Sequence, residues 1–332
     1  MKLLITLLSL LCLVLSKPLT PGKWAPLPSL PSPRQEHTTL HLPPSSIAII
    51  GGIVPDNTSF LTTDLFQSYS ISNRTWTTLA RIPIPLNHPN AAVVNNKAYL
   101  LGGLRVAETG AWVATSQSWV YHPDTNKWEE IASVPGEARG SAAVGVHDGK
   151  VILAGGMKIL EPWQGGRQES VDFVDIFDTR TGTWSSGPKL PGRRDHAGAG
   201  VVDGKMYVVG GREDGQAGVR GDVFELDLGK MESWVSRKGM VTPRGGISAT
   251  VVGRRVFTFG GEGNPAEGSD GVFNETEVYD TGRDTWAKLG PMQVPRHGTS
   301  AVGVGGRVYI PGGGVRIGGA PVDYFDVFEP GC

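Results

Sequence analysis

The sequence predicts an all-β chain folded as a six-bladed propeller, with an N-terminal strand that completes the last blade. Trp24, Trp76, Trp128, Trp184, Trp234 and Trp286 recur at spacings of 52, 52, 56, 50 and 52 residues. Gly-Gly pairs at 51–52, 102–103, 155–156, 210–211, 260–261 and 312–313 keep the same beat. Two unrelated markers sharing one period of about 50 residues indicate a supersecondary repeat of blade length. A third observation closes the ring. The last Gly-Gly is followed by VDYFDVFEPG and then no tryptophan, while TPGKWAPLP near the start supplies the missing strand around Trp24. Closure of this kind leaves no sheet edge open to aggregation.

The elements follow in order. Residues 1–16 carry Lys2, an apolar run and a small residue at Ser16, which reads as a secretory signal too short to span a membrane. Its removal leaves about 316 residues, six repeats of roughly 53. The blades are expected at about 34–80, 86–134, 139–190, 194–238, 244–290, and 296–329 together with 20–28. Blade four is the clearest. RDHAGAGVVDG (194–204) is a first strand ending in Asp203-Gly204, a two-residue hairpin signal. KMYVVGG alternates as a second strand, DVFELDL is a third, and a fourth should carry Trp234. Tyr69, Tyr121, Phe177 and Tyr279 stand seven residues before their tryptophans and are expected to pack between blades; blade four has Asp227 there. The Gly-Gly pairs suit close backbone approach near the axis.

Composition narrows the function. A net charge of −1 and the lack of any basic run make nucleic acid and anionic membrane poor partners. Cys12 falls in the leader and Cys332 is the last residue, so the mature chain is expected to form no internal disulfide. Sequons at Asn57, Asn73 and Asn274 lie in expected loops and accord with a secreted glycoprotein. A monomer is expected.

The recurring Pro-Arg, Gly-Gly, Tyr-Asp and Trp elements resemble the kelch-repeat family across essentially the whole mature chain. The resemblance fixes fold more than activity, since such propellers host several functions. Aligning the repeats on Gly-Gly places Arg139, Arg194, Arg244 and Arg296 sixteen residues before the pair, with Arg34 one residue off. Blade two has Leu86 there, followed by Asn87 and His88. By resemblance this position lies at the mouth of the central pocket, so the arginines would ring it, with His196 and His297 beside them. The loops after Gly-Gly offer Arg212, Asp214, Glu262, Asn264 and Arg316 on the same face. Trp112 and Trp163 fall outside the tryptophan beat, on two long loops, and are candidates for an apolar ligand contact. The competing reading is structural: a repeated arginine can pair with a carboxylate in its sheet, and each tryptophan can cap its own loop.

Copper-radical oxidase chemistry of the kelch type would need an internal cysteine that is missing. The Glu-x3-Asp-x3-His iron motif of kelch specifier proteins is also absent. His37 and His41, four apart on a strand, sit about 13 Å apart, too far for one zinc. The sequence therefore predicts an enzyme without metal or cofactor. Its small-molecule pocket would be one of guanidinium donors, imidazoles and indoles. Positioning two reactants can supply about 7–11 kcal/mol and one donor about 3–4 kcal/mol. The resemblance to secreted fungal kelch proteins implies a hetero-Diels–Alderase of secondary metabolism, joining a tropolone quinone methide to a terpene alkene such as humulene. In it Arg194, Arg244 and Arg296 would bind the tropolone oxygens. His196 or His297 would shuttle the proton, and Trp112 and Trp163 would wall the terpene. Arg34, Asn87, His88, Arg139, Arg212, Asp214, Glu262, Asn264 and Arg316 are further substrate contacts. A sugar-acid epimerase or a non-catalytic glycan- or protein-binding module are the alternatives.

Overall fold

The computed structural model describes residues 20–57 and 59–331. Residues 1–16 and Cys332, read above as a leader and a terminal thiol, lie outside them. Every regular element described is a strand. Blade one is built from Thr38–Leu42, Ser46–Ile50, Phe66–Ser70 and Thr75–Thr78, running antiparallel from the axis outward. Blades three, four and five repeat this order from Ala143–His147, Gly198–Val202 and Ser248–Val252. Blade six consists of Val302–Val304, Arg307–Pro311 and Phe325–Glu329, and Lys23–Pro26 is its outer strand. Trp24 stands opposite Phe328, so the ends of the chain close the ring as the sequence predicts.

The tryptophan beat has a mechanical cause. Each indole Nε1 donates to a backbone carbonyl of the preceding blade: Trp76 to Pro28, Trp128 to Ala80, Trp184 to Ala132, Trp234 to Pro188 and Trp286 to Lys238. Trp24 bonds Gly290 at 3.0 Å and joins blade six to blade five. The aromatic seven residues earlier is the cross-strand partner of its tryptophan, as with Tyr69 and Trp76 at 5.3 Å between centroids. These pairs therefore form within a blade, and the indole then reaches the neighbouring one, as Trp128 reaches Phe66. Trp234 departs from expectation. It precedes its outer strand, Val235–Arg237, by one residue.

The core is divided among the six junctions. Ile152, Val174 and Ile176 of blade three meet Met206, Phe224 and Leu226 of blade four; equivalent clusters fill the other junctions. Gly260-Gly261 shows why glycine is needed at each junction. A Cβ on Gly260 would lie 2.1 Å from the Arg296 carbonyl of the next blade, and Gly261 N–H donates to that same oxygen at 2.8 Å. A side chain here would separate two blades.

Blade two extends beyond the repeat. Lys97–Val106 and Trp112–His122 run on past Gly102-Gly103, and a hairpin from blade three, Met157–Leu160 with Gln168–Ser170, pairs onto Trp112 and Val113. The two long segments read as ligand-contacting loops thus form a sheet extension.

In blade four, Glu225 on Val223–Asp227 accepts from Arg237 Nε at 2.9 Å and Lys205 Nζ at 2.7 Å. Burial would raise its pKa, but Arg237, Lys205 and Tyr207 hold it down at about 2. A carboxylate depressed in the folded state stabilises above its unfolded pKa, and that stability is lost as pH falls through the folded value. Wild-type protein is expected to lose melting temperature between about pH 4.5 and 2. Glu225→Gln should melt a few degrees lower at pH 7 and show a shallower acid loss, read by thermal denaturation at stepped pH.

Candidate functional site

The repeated arginines do not converge on the axis. Arg34, Arg139, Arg194, Arg244 and Arg296 are buried, and their guanidinium groups run outward over their own blades. Arg139 meets Asp175 at 2.8 Å, Arg194 meets Asp222 at 3.1 Å and Arg296 meets Asp326 at 2.8 Å. Arg244 lies 3.6 Å from Glu277, while Arg34 donates to Gln67 and to the Gly51 carbonyl. Burial lowers the pKa of all five, Arg34 to about 10. Each ties the segment that enters a blade to the region of its third strand, and the expected ring of axial donors is corrected accordingly. Leu86 fills the equivalent space in blade two with hydrocarbon.

The axial groups sit two residues further on. Glu36, His88, Ser141, His196, Gly246 and Gly298 are equivalent, one per blade, and all six have φ between 49° and 59°. Glycine takes this left-handed backbone freely, whereas another residue is strained by about 1–2 kcal/mol. Blades five and six use glycine, and four blades bear the strain. The glycines also make room: a Cβ on Gly298 would meet Glu36 Oε1 at 2.4 Å. The intervening residue of each repeat bridges to the residue after Gly-Gly, which brings Asp195 against Arg212, Gly245 against Glu262 and His297 against Gly314.

A buried polar hub results. His88 Nε2 lies 3.0 Å from Glu36 Oε2 and 3.0 Å from His196 Nε2. His196 Nε2 is 3.8 Å from the same Glu36 oxygen. Behind them, His88 Nδ1 faces Asn87 Oδ1 at 2.7 Å and His196 Nδ1 faces Asp195 Oδ1 at 2.5 Å. Arg212 contacts Asp195 and Glu262, and its Nη2 stands 2.9 and 3.0 Å from the two nitrogens of His196. Burial and the Arg212 charge lower the pKa of His196. Burial would raise Asp195, but His196, Arg212 and Ser170 hold it at about 2. Burial opposes the Glu36 charge too, yet the surrounding imidazoles keep its carboxyl well below the usual range.

The hub is the floor of a cavity of about 620 Å3 running along the axis. All six left-handed residues line the floor. The walls are small side chains of the innermost strands, among them Ala92, Val144, Ala199, Ala249 and Val302. His41, Pro43, Asn95 and Asn96 mark the far end, at the turns between first and second strands. The cavity thus extends toward the face opposite the Gly-Gly loops, which reverses the expected entry side. Among the described residues, no lysine or arginine lines it. A shallower apolar groove with Phe60, Leu61, Ile84 and Val106 lies beside Arg105 on the loop face.

The other expected site residues are dispersed. His297 lies behind the floor, with Nε2 2.9 Å from the Arg316 carbonyl. Trp112 is buried with Ile53, Leu104 and Met157, 5.6 Å from the His88 ring on the loop side, so it walls no ligand space. Trp163 is 49% exposed and away from the cavity. Asp214 and Asn264 bond the backbone of Ser170 and Val272, and Arg316 reaches Gly319. Asn57, Asn73 and Asn274 are exposed. Glu36, Ser141 and Asp195 were not singled out from sequence. The signal for the first two was a non-glycine residue two places after the repeated arginine, where blades five and six have glycine.

Residues 13–188 and 163–327 match the KLHDC2/KLHL20/DRC7 Kelch-repeats domain. Kelch-like protein terF of Aspergillus terreus is 37% identical over 317 residues, which cover 93% of this chain and 68% of that protein. Kelch-like protein 34 of Homo sapiens is 28% identical over 69% of this chain, and the match spans 35% of that protein's length. Among solved structures, YjhT superposes with a TM-score of 0.72 at 19% identity, over 90% of this chain and 96% of the other, a likeness of fold.

Proposed function

The chain belongs to the kelch-repeat family, and from that premise we propose that its axial cavity is the active site of a hetero-Diels–Alderase of tropolone-sesquiterpene chemistry. The observation that carries this reading is an axial cavity with alanine and valine side chains among its walls and a patch of acid–base groups on its floor. The volume suits a drug-sized ligand. The alanine and valine side chains of the walls suit a terpene, while Glu36, His88, Ser141 and His196 on the floor offer partners to a substrate oxygen. The diene forms when a hydroxymethyl tropolone loses water: the ring hydroxyl gives up its proton and the side-chain hydroxyl departs with one. Floor groups are placed to move that proton. The alkene then adds, with two σ bonds formed and no atom lost. Holding both reactants in register supplies about 7–11 kcal/mol. The arginines and Trp163 take no part in this reading.

The test incubates purified protein with the hydroxymethyl tropolone precursor and humulene. Adduct formed faster and with a stereochemical ratio different from buffer supports the reading, and an unchanged rate and ratio rejects it. A sugar-acid epimerase has less behind it, because a carboxylate ligand would find no lysine or arginine on the cavity wall. The first 16 residues and the three exposed asparagines support secretion. Protein from the native host is expected to lose mass on treatment with peptide-N-glycosidase.

A further inference from the structure

We infer that Glu36, His88 and His196 form a binding site for one divalent first-row transition-metal ion, with Zn2+ as its type, open on the cavity side. One ligand atom from each residue lies within 4.8 Å of the others. Their separations of 3.0, 3.0 and 3.8 Å approximate the roughly 3.0–3.5 Å between neighbouring ligands at metal bonds of about 2.1 Å. Three blades contribute, at positions 52 and 108 residues apart, so local motif spacing could not reveal the set.

The chemistry of the donors argues for a cation. Asp195 can only accept, so His196 Nδ1 must donate to it and His196 Nε2 carries a lone pair. His88 has the same arrangement, with Asn87 Oδ1 behind it. Two imidazole nitrogens and a carboxylate oxygen therefore face one another, with Arg212 Nη2 3.0 Å from His196 Nε2 as the group an ion would have to displace. A carboxylate or amide oxygen behind each imidazole is the usual outer partner of a metal-bound histidine. Charge points the same way. The hub buries the carboxylates of Glu36, Asp195 and Glu262 but only one guanidinium, that of Arg212. Buried carboxylates without matching positive charge are costly, and a divalent ion would balance the hub. The backbone gives a third argument: Glu36, His88 and His196 hold φ of 54°, 49° and 52° at a position where two other blades have glycine. Strain retained in this way marks sites selected for more than packing.

Three protein ligands with a free side on a substrate-sized cavity describe an open site rather than a closed structural one. In the cycloaddition reading the ion takes over polarisation of the substrate oxygen from a floor proton, but its binding does not depend on that reading. The test uses resting, chelator-treated full-length protein titrated with Co2+, then Zn2+. One equivalent of Co2+ is expected to give visible ligand-field absorption and to be displaced by Zn2+. Glu36→Gln and His88→Ala should each weaken binding at least 100-fold, Asp195→Asn should weaken it about 10–100-fold, and His41→Ala at the far end of the cavity should leave it unchanged. Circular dichroism without metal establishes that each variant folds. If a floor variant does not fold, X-ray absorption of the Co2+-loaded wild type decides, with two imidazoles expected in the shell. No stoichiometric Co2+ binding, a cobalt shell without imidazole, or a folded Glu36→Gln that binds as wild type overturns the site. Turnover that persists without bound metal overturns the ion's catalytic part and leaves the cycloaddition reading standing; stoichiometric binding without turnover overturns the cycloaddition reading and leaves the metal site standing.

Discussion

Arg244→Met is expected to destabilise the propeller by about 3–5 kcal/mol, read as a lowered denaturation midpoint. Arg244 and Glu277 are both fully buried and lie 3.6 Å apart, with Arg244 also donating to Thr258 Oγ1 at 3.0 Å. Removing the guanidinium leaves the Glu277 carboxylate in hydrocarbon with no countercharge. Methionine matches much of the lost volume, so the cost reports the stranded charge more than a cavity. The pair need not stabilise the fold in itself. Desolvating two ions can consume the whole Coulombic gain, and an apolar pair of similar size often does as well. Arg244→Met combined with Glu277→Met is therefore expected to recover most of the loss. A double variant no more stable than the single one would show that Glu277 is not the group left stranded. Ligand affinity of the folded fraction should not change in either variant, because Arg244 faces away from the cavity.

That expectation marks how far the sequence could be read. The Trp and Gly-Gly beats reported the fold because each has a mechanical task repeated at every junction: Trp184 bonds the Ala132 carbonyl, and Gly260 admits the Arg296 carbonyl. The arginines share that beat for the same reason, and periodicity itself was the sign of a structural task. A residue needed six times holds the ring together, whereas chemistry belongs to the positions where repeats differ. Glu36, His88, Ser141 and His196 differ from one another and from Gly246 and Gly298, and these six face the axial cavity. Whether Arg194 points outward or inward depends on the acidic partner, Asp222, which lies 28 residues on and is paired by folding alone. The depth of the cavity was likewise illegible, since small residues on innermost strands read equally well as tight packing. Trp112 looked exposed on a loop because its strand pairs with residues of another blade, Ile159 and Leu160.

Ala199→Trp is expected to abolish small-molecule binding and turnover, with at least a 100-fold loss in affinity, about 3 kcal/mol. Ala199 lies on Gly198–Val202, lines the cavity and is only partly buried. An indole there adds many heavy atoms to a space of about 620 Å3. Ala199 also packs against the junction of blades three and four, so a loss of stability near the 1–3 kcal/mol usual for overpacked cores is expected beside the loss of binding, and affinity is read on the folded fraction. Trp163→Ala is the matched control: it removes the large exposed indole of the loop face, and affinity should stay within about twofold of wild type, under 0.5 kcal/mol. Calorimetric titration with the tropolone precursor on both variants separates the two faces of the toroid. If Trp163→Ala destroys binding while Ala199→Trp spares it, the ligand sits on the loop side. The strained floor would then need another purpose. The axial assignment predicts the opposite. There acid–base groups meet alanine and valine side chains, and a bound apolar reactant that displaces water would make each remaining dipole act more strongly on a developing charge.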